Sequence, residues 1–120
     1  MRILIVDDSK AMRMIVTRTL RQAGFGDHVF AEADDGTTAL AAVAADPPDL
    51  VLSDWNMPQM TGIELLKALR SSGNPVTFGF VTSESTPAMR NTAEENGALF
   101  LIGKPFTAET FTSALSGVLA

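Results

Sequence analysis

The chain has no cysteine and one histidine among its 120 residues, which removes disulfides, thiolate catalysis and cysteine-ligated metals from consideration. His28 has no cysteine or acidic companion at nucleophile or metal spacing and reads as structural. Basic residues are scarce too: nine Lys and Arg against fourteen Asp and Glu give a formal charge of −5. Phosphate backbones and anionic membranes are gripped by clustered Lys and Arg, so neither nucleic acid nor a membrane surface is an expected partner. No apolar leader follows Met1 and Arg2, no repeat or low-complexity tract interrupts the chain, and no glycine-rich loop follows the first apolar run. These absences argue against a secretory signal, a disordered tail and a Rossmann or P-loop nucleotide site. The expectation is a cytoplasmic protein whose residues 1–120 form one domain around one core.

What is present is a regular alternation of short apolar runs with amphipathic stretches. Strands are expected near Arg2 to Val6, His28 to Ala33, Leu50 to Ser53, Val76 to Thr82 and Ala98 to Ile102, mostly too apolar for a sheet with one wet face. Met12, Ile15, Val16, Thr19, Leu20 and Ala23 recur at three- and four-residue steps and predict a first helix lying on such a sheet. Thr37 to Ala45, Gly62 to Ser71, Thr86 to Glu95 and Thr107 to Leu119 fill the other helical slots. Gly24, Gly36, Gly73 and Gly97 fall near the joints, and Pro47 and Pro48 separate the second helix from the third strand. Five βα units with right-handed crossovers predict a flavodoxin-like, doubly wound α/β fold with a parallel five-stranded sheet in the order 2-1-3-4-5.

In that class ligands bind at the carboxyl ends of the strands, beside the point where strand order reverses. Asp7 and Asp8 follow the first strand, Asp54 the third, Thr82 and Ser83 the fourth, and Lys104 the fifth. Strands one and three are neighbours in this order, so three carboxylates converge. An adjacent Asp pair alone is as readily a turn and helix cap; Asp54 at a third strand end tips the balance toward a site. Two unit charges about 4 Å apart repel by roughly 4 kcal/mol at an effective dielectric near 20, a large share of the about 5–15 kcal/mol that stabilises a small domain. A hard divalent cation relieves that repulsion, and Mg²⁺ suits a site of a few carboxylates because it keeps open positions for phosphate oxygens. Asp54 is then placed as a nucleophile toward phosphorus, Lys104 as an electrostatic stabiliser of developing charge, and the Thr82 hydroxyl as a hydrogen-bond donor.

The segments "ILIVDDSKAMR", "SDWNMPQMTGIELLKALR", "FVTSES" and "GKPFTAETF" stand in this order along almost the whole chain. Together they resemble response-regulator receiver domains, specifically the single-domain, CheY-like chemotaxis type. The resemblance implies a two-component phosphorelay in which Asp54 accepts a phosphoryl group from the phosphohistidine of a histidine kinase or histidine phosphotransfer domain. It implies that Asp7, Asp8, Asp54 and the backbone carbonyl of Asn56 hold Mg²⁺, and that Thr82 and Lys104 engage the phosphoryl oxygens. It further implies a cis Lys104–Pro105 peptide, an isomer found in only about 5% of X-Pro bonds. Asn56 and Glu84 stand where residues of the family tune hydrolysis of the acyl phosphate. The face formed by the fourth helix, fifth strand and fifth helix is the implied output surface, working through a population shift toward a downstream protein effector such as a flagellar motor switch.

One position departs from the family. Leu101 stands three residues before Lys104, where such receivers carry a Tyr or Phe whose ring rotates inward on switching, and leucine has neither ring nor hydroxyl. Phe100 is expected on the opposite side of the strand and cannot replace it. Lys10, Arg13, Arg18 and Arg21 share roughly one face of the first helix, an ordinary wet face or, by the resemblance, part of the docking surface for the phosphodonor. Two rival functions compete for the same residues. A haloacid-dehalogenase-like phosphatase uses comparable chemistry, but places a D-x-D nucleophile after its first strand and carries a cap segment; here Asp7 and Asp8 are adjacent. A receiver fold kept only as a non-switching adaptor has no need for intact Asp7, Asp8, Asp54, Thr82 and Lys104.

Overall fold

The computed structural model describes residues 1–118 and is an α/β sandwich of three layers. Five parallel strands, β1 (Arg2–Val6), β2 (Val29–Ala33), β3 (Leu50–Ser53), β4 (Thr77–Thr82) and β5 (Phe100–Gly103), pair in the order β2-β1-β3-β4-β5. They alternate with α1 (Lys10–Leu20), α2 (Gly36–Ala45), α3 (Gly62–Ser71), α4 (Pro87–Glu95) and α5 (Ala108–Leu115). The expected doubly wound order is the one observed.

Strand side chains alternate between faces, so a run such as Ile3-Leu4-Ile5-Val6 feeds two cores at once. Ile3 and Ile5 pack with Leu50, Leu52, Val81, Ile102 and the buried faces of α1 and α5. Leu4 and Val6 pack with Val51, Phe78, Phe80 and Leu101 beneath α2, α3 and α4. That double burial explains why β1, β3 and β4 are apolar between their ends, whereas the edge strand β2 leaves Val29 59% exposed.

Helix starts follow local chemistry. Ser9, Asp35, Thr61, Thr86 and Thr107 each accept a hydrogen bond from an amide in the first turn that follows, satisfying donors with no partner inside the helix. The Thr38 amide holds the Asp35 carboxyl below its ordinary range. Pro87 opens α4, where its missing N–H costs nothing.

The structure also moves several expected boundaries. Strand β5 starts at Phe100 rather than Ala98, because the Gly97 and Ala98 amides still donate to Glu94 and Ala93 in the closing turn of α4, and pairing resumes only with Leu99 N–H to Phe78. Helix α1 ends at Leu20 and runs on through a π-helical turn, Arg21–Phe25, in which Gly24 takes φ 96°, a value disfavoured for any side chain. Ile15 belongs to no core face: it is 43% exposed, and Met12, Val16 and Leu20 carry the sheet-facing stripe. Helix α5 closes at Leu115, and the expected end at Leu119 lies outside the described residues.

Candidate functional site

Asp7, Asp54 and Lys104 are each the first residue past a strand, and each is still held by the sheet's ladder. The Asp7 amide donates to Ala33 of β2 at 3.1 Å, the Asp54 amide to Val6 of β1 at 2.9 Å and the Lys104 amide to Thr82 of β4 at 2.8 Å. Parallel pairing of Val6 with Ser53 then sets Asp7 beside Asp54 at the point where the chain leaves β1 toward one face and β3 toward the other.

One carboxylate oxygen from each of Asp7, Asp8 and Asp54 lies within 4.8 Å of the other two. Asp7 is buried, with 4% of its surface accessible, Asp54 is partly buried, and Asp8 stands at the open rim. Lys104 reaches over the cluster: its Nζ donates to Asp7 Oδ2 at 3.1 Å and to Asp54 Oδ2 at 3.4 Å. The second oxygen of each buried carboxylate is also occupied, since Asp7 Oδ1 accepts from the Ser9 amide at 2.9 Å and Asp54 Oδ1 from the Trp55 amide at 2.7 Å. Burial pushes the Asp54 carboxyl above its ordinary range; Lys104 opposes that, Asp7 adds to it, and the Trp55 amide opposes it again. One ammonium between two carboxylates, with a third nearby, leaves negative charge uncompensated. Three hard oxygen donors at this spacing, on two loops and open on the Asp8 side, fit Mg²⁺ in composition and access.

The other expected residues gather at the same edge. Thr82 is fully buried at the end of β4, and its hydroxyl accepts from the Glu84 amide at 3.3 Å. Asn56 Nδ2 donates to Glu84 Oε1 at 3.0 Å, bridging the loops that follow β3 and β4. The Lys104–Pro105 peptide is cis. Leu101 is 6% exposed and packs inward with Phe78, Phe80, Met89 and Ala93, while Phe100 packs on the other face of the sheet. The Leu101 carbonyl accepts from Arg90 of α4 at 3.2 Å.

Two features carry no signal in the sequence. The loop after Asp54 folds back so closely that a Cβ on Gly62 would collide with the Asp54 carbonyl, and the Gly62 amide donates to Trp55 at 2.8 Å. Arg13, grouped by spacing with Lys10, Arg18 and Arg21 on a wet face, is not there: its side chain is 14% exposed and turns toward the acidic pocket.

This fold with an acidic, lysine-bridged pocket at its strand ends defines a class, and the family model for the response regulator receiver domain matches residues 3–116. The chain belongs to that family, whose members are signalling domains of two-component systems. It is 41% identical to the chemotaxis protein CheY of Pseudomonas aeruginosa, over 98% of this chain and 95% of that protein. It is 42% identical to chemotaxis protein CheY-3 of Vibrio cholerae, over 98% and 91% respectively. Among solved structures, V. cholerae chemotaxis protein CheY4 superposes with a TM-score of 0.85 at 35% identity over 98% of each chain. The receiver domain of the response regulator NarL from Mycobacterium tuberculosis gives 0.85 at 32% identity over 97% of this chain and 93% of that one. No helix among the described residues is long and apolar enough to cross a membrane.

Proposed function

We propose that this receiver is a cytoplasmic, chemotaxis-type response regulator that takes a phosphoryl group onto Asp54 from the phosphohistidine of a histidine kinase or histidine phosphotransfer domain. The observation that carries this reading is the convergence of Asp7, Asp8 and Asp54 within 4.8 Å under the Lys104 ammonium. An oxygen of Asp54 attacks phosphorus, the P–N bond of the donor breaks, and its electron pair leaves on the imidazole nitrogen, which then takes up a proton. Asp7, Asp8, Asp54 and the Asn56 carbonyl are the ligands assigned to Mg²⁺, which when bound neutralises charge on the phosphoryl oxygens. Lys104 and the Thr82 hydroxyl engage those oxygens, and the Thr82 shift is passed to the α4-β5-α5 face, where Leu101 takes part by packing rather than by a rotating ring. Asn56 and Glu84, bridged across the pocket mouth, set how fast water reaches the acyl phosphate. The reader of that face is a downstream protein effector, with a flagellar motor switch the candidate suggested by the chemotaxis relatives.

Acetyl phosphate tests the assignment. With Mg²⁺ it adds one phosphoryl group to the wild type, read by intact mass, and none to Asp54→Ala; modification persisting in the variant overturns the assignment. A phosphatase would instead turn over a phosphomonoester repeatedly, and a non-switching adaptor would bind its partner equally with and without beryllofluoride.

A further inference from the structure

Arg13 closes the first turn of α1, and its guanidinium makes two directed hydrogen bonds. Nη1 donates to the backbone carbonyl of Asp7 at 2.6 Å, and Nε donates to Glu32 Oε1 of β2 at 2.8 Å. The arginine is 14% exposed whereas Glu32 is 51% exposed, so the pair is anchored on the arginine side and held in place from the edge strand. The Asp7 carbonyl belongs to the peptide that leads into Asp8. With the Asp7 amide tied to Ala33 and the Asp7 carbonyl tied to Arg13, the backbone that projects both Asp7 and Asp8 is fixed on either side. Ser9, next in line, sends its amide to Asp7 Oδ1, while its carbonyl accepts from the Arg13 amide, which ties the same segment to the start of α1.

We infer that Arg13, oriented by Glu32, is the positioning residue that aims Asp8 into the cation site. The inference rests on the proposed function, because it concerns the metal that Asp7, Asp8 and Asp54 are assigned to hold. Such positioning requires a planar fork, since Arg13 uses two different nitrogens toward two acceptors in fixed directions, and a lysine ammonium carries the same charge without that geometry. Asp8 is the ligand that needs such help. Asp7 is held by Ser9 and Lys104, and Asp54 by Trp55 and Lys104, but Asp8 sits exposed at the rim with its direction set by its backbone.

Charge and geometry make opposite forecasts. If Arg13 acted only as a nearby cation, Arg13→Gln would tighten Mg²⁺ by removing repulsion and Arg13→Lys would change nothing. A positioning role weakens Mg²⁺ in both, by about tenfold in Kd as for other partners that orient a metal ligand. Glu32→Gln weakens it less, since the carbonyl contact remains. The experiment titrates Mg²⁺ into wild type, Arg13→Lys, Arg13→Gln and Glu32→Gln, following Trp55 fluorescence, with the melting temperature of each metal-free protein measured alongside. Supporting the inference is a raised Kd in both Arg13 variants, unrescued by lysine, with Arg13→Lys melting close to wild type. Unchanged or tightened binding in the Arg13 variants overturns it while the wild type still binds. Absence of any Mg²⁺ response in the wild type overturns the proposed function, and this inference with it. Glu32→Gln, a change on an exposed strand side chain, carries the test if an Arg13 variant fails to fold.

Discussion

The acidic pocket and the α4-β5 face lie a few residues apart on the same strands, yet they are built on opposite terms. In the pocket, Asp7 and Asp54 share one ammonium with Asp8 close by, and charge is left over. On the α4-β5 face, Leu101 fills an apolar site among Phe78, Phe80, Met89 and Ala93, its carbonyl is capped by Arg90, and no buried side-chain polar atom among the described residues lacks a partner. The pocket is therefore poised to respond to a cation or a phosphoryl group, and the face is poised to stay as it is until something pulls on it. What joins them is short: Thr82 ends β4 beside the strand that carries Leu101, and the loop that follows reaches back through Glu84 to Asn56.

That contrast can be broken by substitution, and the largest effect belongs to Lys104→Met. Removing the ammonium leaves two largely buried carboxylates uncompensated, at a cost of about 3 kcal/mol to the metal-free protein near neutral pH, and Mg²⁺ should recover most of it. Chemical denaturation with and without Mg²⁺ checks both halves. Leu101→Ala opens a cavity and should cost about 2 kcal/mol, with no recovery by Mg²⁺ and an unchanged Mg²⁺ affinity. A Mg²⁺-dependent recovery there would erase the distinction between the two regions.

Asp54→Asn should act in the other direction, stabilising the metal-free protein by about 1 kcal/mol, because burial of the Asp54 charge, with repulsion from Asp7 added, outweighs what Lys104 and the Trp55 amide return. The sign of the pH dependence follows from the raised Asp54 pKa. A carboxyl that holds its proton more tightly folded than unfolded contributes stability fully below the unfolded value of 3.8, and that contribution is lost as pH rises through the higher folded value. The difference in stability between variant and wild type should accordingly widen over that interval in chelator and shrink in Mg²⁺. Asn56→Ala should move stability least, by less than about 0.5 kcal/mol, because its bond to Glu84 is exposed. Its measurable effect is a several-fold change in the decay rate of the acetyl phosphate product.

Most of the scaffold was legible because β1, β3 and β4 are buried on both faces, and that requirement writes itself as unbroken apolar runs in the sequence. Asp7, Asp54, Thr82 and Lys104 were legible as the residues that end those runs, given the strand order. Arg13 was not, because helical spacing assigns it to a face without revealing that a backbone carbonyl and a strand glutamate wait within its reach. Ile15 failed for the converse reason: it fits the apolar spacing, but the stripe that meets the sheet is narrower than the pattern. The start of β5 was misplaced because Ala98 is apolar enough for a strand while its amide is still committed to the end of α4. The tight approach of Gly62 to Asp54 depends on the path of a whole loop, which no local pattern encodes.

Like charges from separate loops are gathered here for a cation, and thermal unfolding of the wild type in chelator and in Mg²⁺ tests that most directly. Mg²⁺ at ten times its Kd should add about 1.4 kcal/mol and raise the melting temperature by about 5 °C, with Asp54→Asn gaining far less. An identical melting curve in chelator and in millimolar Mg²⁺, with Trp55 fluorescence unmoved, would contradict it.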